Sequence, residues 1–228
     1  MKSARLLVLA LAGCGGVANA AAPEVFHYLR VASQRKALEC SFAILRSADG
    51  WTITSVTGDL TVEARYDAQD RLRGGHASLR NGGTARVLVA GGRARLTAPG
   101  REDEEMEAPP GVIVTSAPDW TDAFRICRLW DRARAGRQEF PGLWIHPFQP
   151  SRQLTFSAEG VRRDRLDQGG TILDFEVLTI RLRGNSAYRA WADPAGRMIK
   201  LASLPAGEGS TVLVLEGFES AASALPGE

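Results

Sequence analysis

Turn-forming residues recur along this chain at intervals of roughly 8–12 residues, with short apolar-rich segments between them, the pattern of an antiparallel β domain. Segments 25–32, 37–46, 51–57, 59–66, 71–79, 84–90 and 93–98 form a first set of strands, and 143–146, 153–158, 171–183, 186–193, 197–204 and 210–218 a second. The breaks have turn chemistry: Ser47-Ala48-Asp49-Gly50, Asp67-Ala68-Gln69-Asp70, Asn81-Gly82-Gly83, Gly91-Gly92 and Asp193-Pro194-Ala195-Gly196. Such residues tolerate positive φ, cap their own turns or pre-set φ through proline. Between 171 and 183 the apolar phase moves from Leu173, Phe175 and Val177 to Leu178, Ile180 and Leu182, which predicts a bulge or a strongly bent strand.

One segment has helical periodicity. Ser116-Ala117-Pro118-Asp119 reads as a helix start, and Trp120, Ala123, Phe124, Cys127 and Trp130 then share one face. Arg125, Arg128 and Arg132 share the other, and Gly136 ends the run, so an amphipathic helix is expected over 117–135 with its arginines in water or against anionic headgroups. The stretch 99–111, with Glu102-Asp103-Glu104-Glu105, reads as a charged, solvated loop without the spacing of a Ca²⁺ site. One domain is expected over 23–219, preceded by a leader at 1–22 and followed by a flexible tail at 220–228.

The leader sets the compartment. Lys2 and Arg5 precede a short apolar run, 6–12, flanked as a secretory signal is and too short to span a bilayer comfortably. Leu11-Ala12-Gly13-Cys14 resembles a bacterial lipobox, which makes Cys14 a lipidation site, residues 15–23 a tether and the outer membrane the expected address. Ala18-Asn19-Ala20 is alternatively a small-x-small cleavage site that releases a soluble periplasmic protein. Cys40 and Cys127 then remain, either as a disulfide of the oxidising envelope or as two buried thiols.

Composition and motifs narrow the function classes. Removing Lys2 and Arg5 leaves basic and acidic residues equal in number, so there is no global electrostatic case for nucleic acid. His27, His76 and His146 stand apart, at no metal-ligand spacing, and there is no Gly-x-Ser-x-Gly elbow. Gly74-Gly75 and Gly91-Gly92 read as turns, because no helix follows them to cradle a phosphate. No cofactor, metal or catalytic residue is expected.

The aromatics Trp120, Phe124, Trp130, Phe140, Trp144 and Phe148 gather on the helix and the segment after it. They either pack the helix onto the sheet or line a pocket for an apolar ligand such as an acyl chain. The candidate lining is Trp51, Ile53, Trp120, Phe124, Trp130, Trp144, Phe156, Phe175 and Trp191. A completely filled concave face would instead make this a structural or interaction module that meets another envelope component.

The order of signal, long antiparallel meander, mid-chain helix and closing strands resembles the LolA-like superfamily of bacterial envelope proteins. The hairpin from Tyr188 to Lys200, with its W-x-D-x-x-G-R-hydrophobic-x-K pattern (Trp191, Asp193, Gly196, Arg197, Met198, Lys200), is similar to the ending of the superfamily's uncharacterised members. The resemblance implies a mainly β fold, a curved half-barrel with the helix packed as a lid, enclosing an apolar cavity for acyl chains. The lipoprotein carriers of that superfamily have several lid helices and a long helix before the sheet, whereas this chain has one helix and starts as strand.

Overall fold

The computed structural model describes residues 22–32, 35–80, 82–117, 119–182, 186–205 and 211–225. Cys14 and the leader lie outside the described residues, as do Asn81, Pro118 and 226–228. The first half of the chain is an antiparallel meander. Its strands are β1 (Glu24–Ala32), β2 (Arg35–Ser47), β3 (Gly50–Thr57), β4 (Leu60–Asp67), β5 (Leu72–Leu79), β6 (Thr84–Ala90), β7 (Arg93–Thr97) and β8 (Glu104–Glu107). The second half runs β9 (Ile113–Thr115), α1 (Thr121–Leu129), β10 (Gln138–His146), β11 (Gln149–Gln168), β12 (Thr171–Arg181), β13 (Ala187–Ala192), β14 (Met198–Leu204), β15 (Val212–Leu215) and α2 (Ala221–Ala224).

The last strand returns to the first. β15 pairs antiparallel with β1, Tyr28 opposite Leu215, so both halves join in one 15-stranded sheet with β8 and β9 at its edges. The chain crosses between those edges from Glu107 to Ile113, a reach of at most roughly 20 Å for so few residues. The sheet must therefore curl until its edges lie close. It does not close: among the described residues β9 pairs only with β10, in parallel. Tyr66 of β4 holds β9 instead, its Oη donating to the Val112 carbonyl (3.0 Å) and accepting from the Val114 N–H (3.4 Å).

Burial follows the strand period in the first half. Ile53, Ser55 and Thr57 of β3 stand opposite Ala64, Val62 and Leu60 of β4, and all six are buried. One covered face and one wet face is the ordinary state of an antiparallel sheet. The second half differs: consecutive residues are buried in β12 (Val177, Leu178), β13 (Ala190 to Ala192) and β14 (Met198 to Ala202). Both faces are covered there, one by α1 and the other by the C-terminal segment. Residues 220–225, expected within a flexible tail, fold back onto the sheet, with Ala221 and Leu225 buried. Lys200 fixes them, its Nζ donating to the carbonyls of Ala222 (3.0 Å) and Leu225.

Two-sided burial also accounts for the apolar phase change in β12. A register shift does sit at Val177/Leu178, but on the neighbouring strand. Gly160 opposes Leu178 and Arg162 opposes Val177, so Val161 of β11 is the extra residue.

Three other expectations are corrected. The acidic stretch is not a free loop, because Glu104–Glu107 is edge strand β8, and its neighbourhood is ion-paired (Arg95–Asp103 2.5 Å, Arg93–Glu105 3.3 Å). Charges on an exposed edge oppose pairing with another chain. Gly74 and Gly75 lie inside β5 rather than at a turn, and a Cβ on Gly75 would stand 2.3 Å from the Glu63 carbonyl oxygen. The helix spans only Thr121–Leu129. Its N-cap is Trp120 with no side-chain cap, and the chain turns extended at Trp130.

Nor does α1 have a wet arginine face: every residue from Thr121 to Cys127 is buried. Phe124 stacks on Phe42 (4.4 Å, 8°) and meets Tyr28 edge-on (6.4 Å). Arg125, expected in solvent, lies over the rings of Trp51 (4.3 Å) and Tyr66 (4.7 Å) and reaches the carboxylate of Asp70. The helix is thus the centre of the concave core, and truncating Phe124 to Ala would cost about 3–5 kcal/mol.

Candidate ligand pocket

Cross-strand pairing sorts the apolar residues onto two faces. Leu178, Ala190 and Leu201 stand side by side, and Leu201 pairs with Leu213, on the face that carries Tyr28 and packs on α1. Val177, Trp191, Lys200 and Val214 share the opposite face. Trp191 and Phe175 therefore point away from the helix and cannot line a concave cavity. Trp191 is fully buried, with Nε1 donating to Asp164 Oδ2 (2.8 Å) and Lys200 Nζ 4.7 Å from its ring centroid.

On the concave face, Ile53, Phe124 and Phe156 are core. Phe156 lies over Gly142, whose absent Cβ would stand 2.4 Å from the ring. Trp51 stacks on Tyr66 (4.4 Å), Trp120 meets Tyr188 edge-on (5.4 Å) and Trp130 lies against Gly160. The deep interior is filled by these side chains together with α1.

Apolar space is left at the mouth. A cavity of about 350 Å³ opens beside Ala117, with apolar walls from Trp144, Leu154, Leu182 and Tyr188 and a polar rim of Gln149, Arg152 and Ser186. That volume is at the small end of the range for small-molecule sites. Its walls come from two hairpins: Trp144 pairs with Arg152 across β10–β11, and Tyr188 pairs with Ile180 across β12–β13. The guanidinium of Arg152 lies 5.7 Å from the Trp144 ring centroid and has no acidic partner among the described residues. His146 stacks on Trp144 (5.5 Å, 6°), and its Nδ1 accepts from the Phe148 N–H (3.1 Å). Burial lowers the His146 pKa, so this imidazole is neutral at neutral pH and Arg152 supplies the positive charge.

Other predicted sites resolve differently. Cys40 and Cys127 are free, buried thiols and not a disulfide. Burial raises both pKa values, that of Cys127 to about 12. Among the described residues, no group of three or more His, Cys, Asp or Glu side chains is placed to hold a metal ion.

The Trp191-to-Lys200 pattern is a structural device in every position. Asp193 Oδ1 accepts from the N–H groups of Ala195 and Arg197, and Arg197 Nε donates to Oδ2 (2.9 Å). Gly196 has φ +77° and brings the turn against α1, 2.9 Å separating its missing Cβ from the Cys127 carbonyl oxygen.

The other half of the sheet repeats this turn. Asp67 Oδ1 accepts from the N–H groups of Gln69 and Arg71, Arg71 Nε donates to Oδ2 (2.9 Å), and Asp70 takes positive φ (60°) where the second copy has Gly196. One copy grips α1 through Asp70 and Arg125. The other lies against α1 at Gly196 and holds the loop after the helix through Arg132, which donates to the Pro194 carbonyl (2.8 Å) and to that of Asp193.

With this geometry in hand, comparison with solved structures places the fold. The chain is similar to a beta-barrel-like protein of a domain of unknown function, DUF1849, from Brucella abortus, with TM-score 0.52 and 7% identity over 85% of this chain and 94% of that one. The shared property is the fold. A hypothetical lipoprotein, YmcC from Escherichia coli (K12), aligns over 85% of this chain and 86% of its own at 13% identity, with TM-score 0.32. No protein-family model and no curated protein matches the chain.

Of the aromatic and aliphatic residues expected to line a pocket, Trp144 does so at the mouth. Leu154, Leu182, Tyr188 and Arg152 were missed, since only the strand register brings them together. The doubled Asp-x-x-x-Arg turn was also missed, although both copies, Asp67 to Arg71 and Asp193 to Arg197, are legible in the sequence.

Proposed function

We propose that this protein is an exported envelope protein, anchored through a lipidated Cys14, that holds an apolar, acyl-type ligand at the mouth of its curved sheet. The observation that carries this reading is the mouth cavity, where four apolar side chains face an arginine without an acidic partner among the described residues. Such a site suits the end of an acyl chain that bears an anionic or strongly polar head near Arg152. The Leu-Ala-Gly-Cys leader and the LolA-like order of elements support the compartment, and no catalytic role is part of the reading.

A second reading rests on the filled interior. Phe124, Phe156 and Ile53 leave no deep channel, which favours an interaction module of the envelope over a carrier of whole lipids. The test is native mass spectrometry with lipid extraction on the full-length protein purified from its own membrane. A co-purifying acyl-bearing molecule, lost in Leu154→Trp, is the result expected for ligand binding. An empty wild-type protein would overturn it in favour of the interaction module. Cys14→Ala is expected to release the protein from membranes, and unchanged fractionation would rule out the anchor.

A further inference from the structure

A second cavity, of about 280 Å³, lies between the loop after α1 and the bulge of β11. Its lining includes Trp130, Arg132, Arg134, Arg163 and Glu176, and Arg162, whose own guanidinium turns to the opposite face of the sheet because Arg162 pairs with Val177; three guanidinium groups stand against one carboxylate. That carboxylate is engaged, since Glu176 Oε2 lies 2.9 Å from Arg132 Nε. Arg162 is held by Asp164 (2.9 Å) on the Trp191 face and adds no charge to the cavity. Arg134 and Arg163 have no ion pair among the described residues, so the cavity carries uncompensated positive charge.

The surroundings are built rather than accidental. Gln138, buried at 4% exposure, braces the loop: its Oε1 accepts from the Asp131 N–H (3.1 Å), and its Nε2 donates to the carbonyls of Asp131 (2.7 Å) and Arg134 (3.1 Å). The extra residue Val161 in β11 interrupts the ladder beside Arg162 and Arg163, and bulges recur where a strand must re-aim side chains at a site. Gly160 makes room for the indole, since a Cβ there would lie 3.3 Å from Trp130 Cζ2. Trp130 is 7% exposed, and its buried Nε1–H has no acceptor among the described residues. A buried donor without a partner is costly, and an acceptor oxygen offsets that cost.

We infer that this cavity is an oxyanion site for a phosphate group, either free phosphate or the phosphate of an anionic lipid headgroup. Every uncommitted polar group in the lining is a donor, and a planar guanidinium pairs two N–H groups with two phosphate oxygens. The site shares no lining residue with the mouth cavity and does not depend on the acyl-ligand reading.

Two probes separate the sources. Inorganic phosphate is titrated into the full-length protein by calorimetry, and vesicles of phosphatidylglycerol are compared with vesicles of phosphatidylcholine in a flotation assay of the soluble Cys14→Ala form. The proposal expects saturable binding of phosphate, or preferential flotation with phosphatidylglycerol. In the Arg134→Ala, Arg163→Ala double variant that binding should fall at least tenfold. Both arginines are exposed, so the variant is expected to melt as the wild type does. Trp130→Phe, which keeps the ring and removes the N–H, should weaken binding by a smaller factor. Saturable calorimetry identifies the free anion as the ligand, and flotation alone identifies the headgroup. No binding of either probe, or equal binding by the double variant, would overturn the inference.

Discussion

Arg125 donates from Nη2 to both carboxylate oxygens of Asp70, at 3.1 and 3.0 Å, and so ties the middle of α1 to a turn of the sheet. The arginine side chain is 4% exposed and the aspartate 32%. Asp70 holds this position at φ 60°, a conformation that costs an L-residue on the order of 1 kcal/mol. Aspartate is tolerated there where a bulkier residue is not, and it supplies the charge that glycine lacks.

Removing that carboxylate leaves a buried guanidinium over the rings of Trp51 and Tyr66 without its ion-pair partner. Losing one partner of a buried ion pair costs about 3–5 kcal/mol, and water at Asp70 lowers the expectation to about 2 kcal/mol. Asp70→Gly relieves the backbone strain while losing the charge, so it should be less harmful than Asp70→Ala by about 1 kcal/mol. Urea unfolding of both variants checks the order. If Asp70→Ala is as stable as the wild type, the pair does not hold α1.

That contact shows why some of this fold is legible in the sequence and some is not. Strands such as Leu60–Asp67 and Thr84–Ala90 announce themselves through local alternation and through the glycines and aspartates at their ends. The surroundings of α1 are assembled from positions far apart in the chain. A helical pattern reads Arg125 as solvent-facing, because nothing near it in sequence indicates that Trp51, Tyr66 and Asp70 will converge on it. The mouth cavity is hidden for the same reason: Trp144 is recognisable as an aromatic, but its partner Arg152 follows only from the β10–β11 register.

The buried thiols make a second prediction. In the denatured full-length protein, Cys40 and Cys127 should react with a thiol reagent without prior reduction, whereas in the folded protein both should resist. A requirement for reductant would show a disulfide. Burial raises both thiol pKa values, from 9.0 to about 12 for Cys127, so the folded state retains protons that the unfolded state loses. Their contribution to stability is complete below pH 9 and declines as pH rises towards 12.

Lys200 should behave with the opposite sign. Burial lowers its pKa from 10.5 to about 8 despite the opposing influence of Asp164, so above pH 8 the unfolded chain binds the proton more tightly than the folded one. Stability linked to this group therefore rises from about pH 8 to 10.5 and is absent below that window. Comparison with Lys200→Met cancels the thiol and tyrosine titrations. The wild type should gain on the variant by about 3 kcal/mol across the window, an upper figure given that two carbonyls already satisfy the ammonium. A difference in unfolding free energy that stays constant with pH would show that Lys200 titrates normally.

The two glycines at Gly91 and Gly196 separate backbone strain from contact with α1. Both have positive φ, 57° and 77°, so alanine at either position carries the left-handed penalty of about 1 kcal/mol. A Cβ at Gly91 would have nothing within 4 Å, whereas at Gly196 it would lie 2.9 Å from the Cys127 carbonyl oxygen and 3.0 Å from Arg128 Cα. Neither neighbour can rotate away, because both are helix backbone, so Gly196→Ala must push the Asp193–Arg197 turn off α1. We expect Gly91→Ala to lower stability by about 1 kcal/mol and Gly196→Ala by about 3 kcal/mol, the excess being an overpacking cost. Thermal unfolding of the two variants side by side checks this. Equal losses would mean that the turn and the helix are not in contact and that the second grip on α1 does not exist.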